Sequence, residues 1–514
     1  MLMRRKCKNS CTALWVLGAL FLAGCADGYD APNGFDLGVR NTQMETPIQD
    51  SISFKVATDG KTATVSWPTV AGADGHEVTF KNVDDPENPV VLYDGIVDGS
   101  KFTVPVTEDS KYHMTMRTLG NKKLGNTDAN ETKEYDFTTL VRSVMTIPSG
   151  EEISAYIAAH PLDSIDEEVA IDLEPKGEYT FESGIDFGPH KLTFRGDKVH
   201  RPVVHMVGDG HFETWSTLKV KFINFDMTES TAAGLIAMSK TAPDSIKVEN
   251  LPGYSGSKLS KGHYMVEDPI YIANCWFKNL PHAMLYDNAM NCAFWYFTVS
   301  DCIVQMNNTT KSNIGFINLY SAGKSVKNIT IEGSTIFNIA DNESACFIRY
   351  QNESNSQPEK TFGSTNATYQ SQSWKFLNST LANVYYSKEK NNGWRFCNNV
   401  RGNDMTLIID HTIFYNCTQL YRMTGLGSKT FRFNFFWNDR EDDHNRNLSA
   451  SDSSGAPFAS EYDPKFGGDN DANVYKEIDF DQPNGGLNFT PKEYEVLTNR
   501  GGDPRWLPAV QNQE

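Results

Sequence analysis

One eight-residue pattern recurs through the middle of this chain, and it limits the fold more than any other feature. Ile272-Ala273-Asn274-Cys275-Trp276-Phe277-Lys278-Asn279 is the clearest copy. Segments starting at Ile331, Phe376 and Ile409 repeat it, and Val299-Ser300-Asp301-Cys302-Ile303-Val304 carries part of it. Weaker copies begin at Phe222 and Phe431. The template is apolar, any, small or polar, Ser/Thr/Cys, any, apolar, any, Asn. Starts at Ile272, Val299, Ile331, Phe376 and Ile409 are separated by 27, 32, 45 and 33 residues. A constant strand pattern with a variable step describes one coil per repeat, inward apolar positions stacked coil on coil, and loops absorbing the length differences on one side. The Asn turns a corner, because Asn tolerates left-handed backbone angles. This predicts an all-β chain dominated by a right-handed parallel β-helix. A sandwich or jelly roll is the competing reading. A leucine-rich repeat lacks its Leu/Asn consensus.

The N-terminus sets the compartment. Arg4, Arg5, Lys6 and Lys8 precede an apolar run, Leu14 to Leu22. That run falls short of the ~20 residues a bilayer needs, so it reads as a secretory signal. It ends Leu22-Ala23-Gly24-Cys25, which resembles the bacterial lipobox. The resemblance implies cleavage before Cys25, acylation of its thiol, and a lipid-anchored protein of the bacterial outer membrane, at the cell surface. The net charge is −18 for the full chain, and removal of four cations with residues 1–24 leaves −18 − 4 = −22. An acidic surface argues against nucleic acid, whose binders display basic patches. Residues 25–48 read as a flexible tether from Cys25.

Residues 49–140 show short alternating strands, among them Ala63–Trp67, Gly75–Phe80, Phe102–Val106 and Tyr112–Arg117. Such spacing predicts a β-sandwich. The segment resembles a fibronectin type III module, with Trp67 at the core tryptophan and Tyr112 at the tyrosine corner. Ser149 and Glu152 stand at capping-box spacing before Ile153, Tyr156 and Ile157, which predicts a short helix over 150–159 that caps the solenoid. The β-helix occupies 141–440. Residues 441–514 form a loop-rich region that completes or covers it, with a further rung near Tyr475–Phe480. Six cysteines follow Cys25 in sequence, none in a CxxC pair, and they read as buried free thiols.

The solenoid resembles the pectate-lyase-like β-helix superfamily, with Lys191–Gly196 similar to an early rung. The whole order of lipobox, fibronectin-like module, β-helix and closing Gly502-Asp503-Pro504-Arg505-Trp506 resembles surface lipoproteins of bacterial polysaccharide-utilisation loci. This implies a polysaccharide partner, a membrane contact through the lipid, and other glycan-uptake surface proteins as further partners.

Three chemistries belong to such a scaffold. Hydrolysis of galacturonan needs clustered carboxylates, and the family's Gly-His-Gly and Arg-Ile-Lys signatures are absent. Elimination beside a uronate needs a cation for the carboxylate and a base for the proton. Ca2+ with Arg or Lys would supply them. Ile408-Ile409-Asp410-His411 resembles the Trp-Ile-Asp-His rung of one pectate lyase family, with Ile in place of Trp, and Lys324, Arg349 and Arg395 are basic candidates. Binding without cleavage needs aromatic faces for sugar C–H surfaces. Trp276, Trp374, Tyr385, Trp394 and Arg422 are candidates, with Trp276 at an outward position. No catalytic constellation is visible, so the sequence favours a glycan-binding surface lipoprotein. A calcium-assisted polysaccharide lyase comes second and a structural adhesin third.

Overall fold

The computed structural model describes residues 39–252, 262–308, 315–321, 325–340, 346–350, 372–384, 396–398, 405–417, 428–437, 459–460, 462–467 and 474–509. The chain divides into two compact units, 1–140 and 141–514.

The first unit is an antiparallel sandwich. Its strands are β1 (Ser53–Val56), β2 (Thr62–Ser66), β3 (Ala73–Asn82), β4 (Val90–Val97), β5 (Lys101–Pro105), β6 (Lys111–Gly120) and β7 (Lys133–Thr138). They form sheets of order β1-β2-β5 and β4-β3-β6-β7. Alternate residues of both sheets, such as Val65, Val78, Phe80, Val104 and Met114, build one core. Trp67 is buried there with its ring edge on His76. The Tyr112 hydroxyl accepts from Thr107 N at 2.7 Å and donates to Thr107 O at 3.1 Å, tying the β5–β6 turn to the core.

The second unit is a parallel β-helix. Sheet A has ten strands, Ser143–Ile147 and then one strand at the start of each of nine coils. These begin at Val169, Leu192, Leu218, Tyr264, Cys292, Val326, Gln372, Met405 and Ser428. Sheet B also has ten strands, from Glu178–Phe181 to Ala459–Ser460. Sheet C has seven, from Ile185–Asp186 to Cys397–Asn398. Within sheet A, Ile171, Phe194, Val220, Ile272, Val299, Ile331, Phe376, Ile409 and Phe431 pair in one unbroken register. Every repeat start from Ile272 to Ile409 thus lies over its counterpart. All nine are buried in a single core, where each contributes about 1.5–3 kcal/mol of burial. The start expected at Phe222 is displaced by two: Val220 holds the register, and Phe222 is a corner residue.

That corner explains the template. Two residues join sheet A to sheet B in coils three to eight. The first of each pair is left-handed: Phe222, Asn274, Asp301, Gly333, Asn378 and His411 have φ between 47° and 59°. Asn and Gly suit that region at least cost. The second is buried; it is Ile223 in coil three and the Ser/Thr/Cys position in coils four to eight, where its side chain reaches the corner's carbonyls. Ser379 Oγ donates to Leu377 O at 2.7 Å, and Thr412 Oγ1 to Phe376 O of the preceding coil at 3.0 Å. Cys275 and Cys302 occupy the same place, with Sγ on Ala273 O and Ser300 O. Cys275, Cys292, Cys302, Cys397 and Cys417 are free and buried.

The capping helix runs Ile153–Ala159, with Ile153 and Ile157 against the core. Glu152 is the N-cap, its carboxylate accepting from Ser154 N and Ala155 N. The expected box fails because Ser149 is used elsewhere, accepting from Glu178 N and donating its own N–H to Glu174. Near the C-terminus, Val474 and Ile478 form no further rung. They join Phe466, Leu487, Phe489, Val496 and Trp506 in a second core over outward residues of sheet B, Ile303, Phe337, Ile413 and Phe435.

Candidate functional site

The architecture leaves one long face as the place for chemistry. Sheet B is roofed over its later coils by the C-terminal segment. Charges on sheet A's outward face pair between coils: Arg195 Nε with Asp172 at 2.6 Å and Arg432 with Asp410 at 2.6 Å on adjacent coils, and Lys219 with Glu168 at 2.7 Å two coils apart. The A-to-B corner is constant. Three long connections enter or leave sheet C: 25 residues between Met238 and Tyr264, 21 between Tyr350 and Gln372, and 14 between Ala382 and Cys397; a further 21 residues, between Trp437 and Ala459, join two strands of sheet B. Loops of varied length on a rigid scaffold are where binding residues concentrate.

Outward residues of sheet C pair in register as Asp186, Glu213, Ala237, Tyr286, Asn318 and Arg349. Successive members stand about 4.8 Å apart, the strand spacing. Phe212, Ile236, Leu285, Ile317 and Ile348 alternate with them and fill the core, which forces this set outward. Asp186 is fixed by Ser239 and Thr241, each donating to Oδ2 at 2.8 Å. Glu213 Oε1 accepts from His211 Nε2 and from Asn288 Nδ2, both at 3.1 Å. His211 Nδ1 donates to Asp209 O at 2.6 Å. Both ring nitrogens therefore face acceptors, which suits the imidazolium. Burial pulls the His211 pKa down, and its bonds to Glu213 and Asp209 outweigh that pull and leave it raised. The hydrogen bond from His211 holds the Glu213 carboxyl below its ordinary range. Burial, with Glu213 nearby, pushes the Tyr286 phenol up. Gly184 permits the ring to pack closely, because a Cβ there would lie 2.5 Å from His211 Cε1. Further along, Tyr320 is 43% exposed, and the buried Arg349 guanidinium lies 3.4 Å from its ring centroid. Tyr320 thus presents a ring whose hidden side rests on a cation.

The face so built is polar, aromatic and anionic at one end. Two family models each match part of the chain. A domain of unknown function, DUF4992, matches residues 1–183, and a second, DUF4957, matches residues 177–339. No curated protein matches. Among solved structures, the pectate lyase PelI of Erwinia chrysanthemi is similar over 58% of this chain and 85% of its own, at 8% identity and TM-score 0.13. Its complex with tetragalacturonic acid gives TM-score 0.12 at the same identity, over 58% of this chain and 84% of its own. The family 28 exopolygalacturonase of Yersinia enterocolitica covers 75% of this chain and 94% of its own, at 8% identity and TM-score 0.14. Likenesses this distant carry nothing about chemistry, and the solenoid stands on its own strand pairing.

Of the residues singled out in the sequence, Cys25, Lys324, Tyr385, Trp394, Arg395 and Arg422 lie outside the described residues. Trp374 is corrected: it is wholly buried, inward, with its ring 6.4 Å from Tyr350. Its strand position alternates with outward Ser373 and Lys375, so it offers no face to a sugar. Trp276 does point outward, but it is half-buried against the second core, and the Arg201 guanidinium lies over its ring at 5.1 Å. Asp410 and His411 stand at the end of a sheet A strand and its corner, not on the sheet C face. Asp410 bridges His411 Nδ1 and Arg432, both at 2.6 Å, and His411 is the left-handed corner residue of its coil. Arg349 belongs to the candidate face, behind Tyr320. Sequence reasoning missed His211, Glu213, Tyr286, Asn288 and Tyr320. Their strands are short and lack the eight-residue template, and only coil register aligns them.

Proposed function

We propose that this chain binds a polysaccharide along the outward face of sheet C. The observation that carries the reading is the column of Glu213, Tyr286 and Asn318, ending in the exposed Tyr320 ring on Arg349, on the face flanked by three long connections. Sugars stack their C–H faces on aromatic rings, while amides and carboxylates pair with hydroxyls. The column offers both, two strands apart from Glu213 to Tyr286 and one strand apart from there to Arg349.

The lipobox at Cys25 supports a lipid-anchored protein of the bacterial cell surface that holds glycan during uptake, beside other surface proteins of that task. The strand order of residues 49–140 and the Tyr112–Thr107 corner support a fibronectin type III-like module, serving as a spacer. Affinity electrophoresis through gels containing individual plant or host polysaccharides tests the reading. Retardation by at least one polymer is expected, with loss in Tyr320→Ala and weakening in Tyr286→Ala. Absence of retardation across a broad panel would overturn it. Ultraviolet absorbance appearing on a uronic-acid polymer, abolished by calcium chelation, would convert binding into the lyase reading.

A further inference from the structure

The sheet C cluster of coils two to four uses its hydrogen-bond donors on itself. His211 of coil two is 6% exposed, and its ring nitrogens donate to Glu213 Oε1 and to Asp209 O. Asn288 of coil four donates both amide protons, to Glu213 Oε1 at 3.1 Å and to Met238 O at 3.0 Å. Glu213 is thereby fixed through one oxygen. Among the described residues no hydrogen bond reaches its Oε2, and the side chain is 18% exposed. Asp186, beside Glu213 in the column, accepts from Gly188 N, Ser239 and Thr241, each at 2.8 Å. Partners that donate suit ionised carboxylates. Ala237 of coil three stands between Glu213 and Tyr286 in the register. Gly234 on the same strand makes room for the Tyr286 ring, since a Cβ there would lie 2.6 Å from Tyr286 Cδ1. The ring meets that of His211 at a centroid distance of 6.1 Å and 64°. The cations of this face are engaged or set back. His211 is paired on both nitrogens, Lys240 adds to the field that holds Glu213 ionised, and Arg349 is buried against the Tyr320 ring.

We propose that this cluster is an acceptor subsite for a sugar without an acidic group, whose C–H face lies on Tyr286 while a hydroxyl donates to Glu213 Oε2. With the donors of the cluster already paired, the polar group it can still satisfy is one that brings a proton. A sugar hydroxyl brings one, and a carboxylate or sulfate does not. A hydroxyl on a carboxylate also makes one of the stronger hydrogen bonds. An acidic sugar would instead place its charge beside Glu213 and Asp186, two charges of the same sign. The inference rests on the sheet C binding reading and adds the class of glycan, with Glu213 as the residue that selects it and His211 as the residue that positions Glu213.

Affinity electrophoresis of the full chain at low and high salt tests it with matched polymers. Hydroxyethyl cellulose is set against carboxymethyl cellulose, and methyl-esterified against de-esterified homogalacturonan, within a wider panel of uncharged, amino and acidic polysaccharides. Polymers without acidic groups should bind roughly tenfold more tightly than acidic ones. Added salt should strengthen any retardation by an acidic polymer, because it screens the repulsion. Glu213→Gln should weaken binding of an uncharged polymer about fivefold and narrow its lead over the acidic partner. The salt series on wild type reads the same selection without a variant. An acidic polymer bound as tightly as its uncharged partner, or released as salt rises, would overturn the proposal and leave binding on sheet C standing. So would equal affinity of Glu213→Gln and wild type for an uncharged polymer. Retardation by no polymer at all would overturn the sheet C reading, and this inference with it.

Discussion

Trp374 separates a core role from a sugar-binding role, and its energetics can be worked from its surroundings. The ring is fully buried in coil seven, paired in register with Ile329 below and Leu407 above. It meets Tyr350 edge-on at 83°. Trp374→Ala removes the ring and leaves a cavity between stacked neighbours, a loss of about 3–5 kcal/mol. The indole Nε1 has no hydrogen-bond partner among the described residues. An orphaned buried donor costs about 1–3 kcal/mol. Trp374→Phe removes that donor along with part of the apolar area, so the two effects offset to within about 1 kcal/mol. Tyr320→Ala gives up an exposed ring and its contact with Arg349, and should cost about 0.5–1 kcal/mol. Urea unfolding followed by circular dichroism, with gel retardation of the same variants, reads all three. The expected pattern is Trp374→Ala destabilised, Trp374→Phe close to wild type in stability and retardation, and Tyr320→Ala stable but unretarded. A Trp374→Ala protein as stable as wild type that has lost retardation would refute the inward placement.

Other consequences follow from the corners, the C-terminal segment and the sheet C face. Asn378→Val places a β-branched residue at φ 47° and should cost about 1–2 kcal/mol in a denaturation midpoint, while Asn378→Gly should be nearly neutral. Thr412→Val deletes the hydroxyl that donates to Phe376 O and Asp410 O, a loss of about 1–3 kcal/mol by thermal or urea unfolding. Gly502→Ala combines left-handed strain with overpacking against Ile413 and Thr380, and should cost about 2–4 kcal/mol in a urea midpoint. The His211–Glu213 pair has a defined pH window. Its raised His contributes stability below the ordinary 6.5 and loses it as pH rises through the folded value. Its lowered Glu contributes above the ordinary 4.5 and loses it as pH falls through the folded value. The pair is strongest between about pH 4.5 and 6.5, and a stability–pH profile of His211→Gln should lose the wild-type advantage most in that interval.

The sequence alone determined the solenoid, because the inward stack is written locally. Ile272, Val299, Ile331, Phe376 and Ile409 recur with a left-handed corner residue two places on and a buried Ser, Thr or Cys after it. Each coil must repeat both to close its own backbone bonds. Only the tertiary structure decided which outward residues share a face. Glu213, Tyr286 and Asn318 are separated by unequal numbers of residues, and the strand pairing of sheet C alone brings them into one column. It likewise decided that Trp374 is core, that Asp410 and His411 serve a corner, and that Gly502–Trp506 lies across coils five to eight. Alternation along a short strand states that a residue points in or out. What lies over it is set by the coil above, or by a segment a hundred residues away in sequence, and no local pattern encodes that.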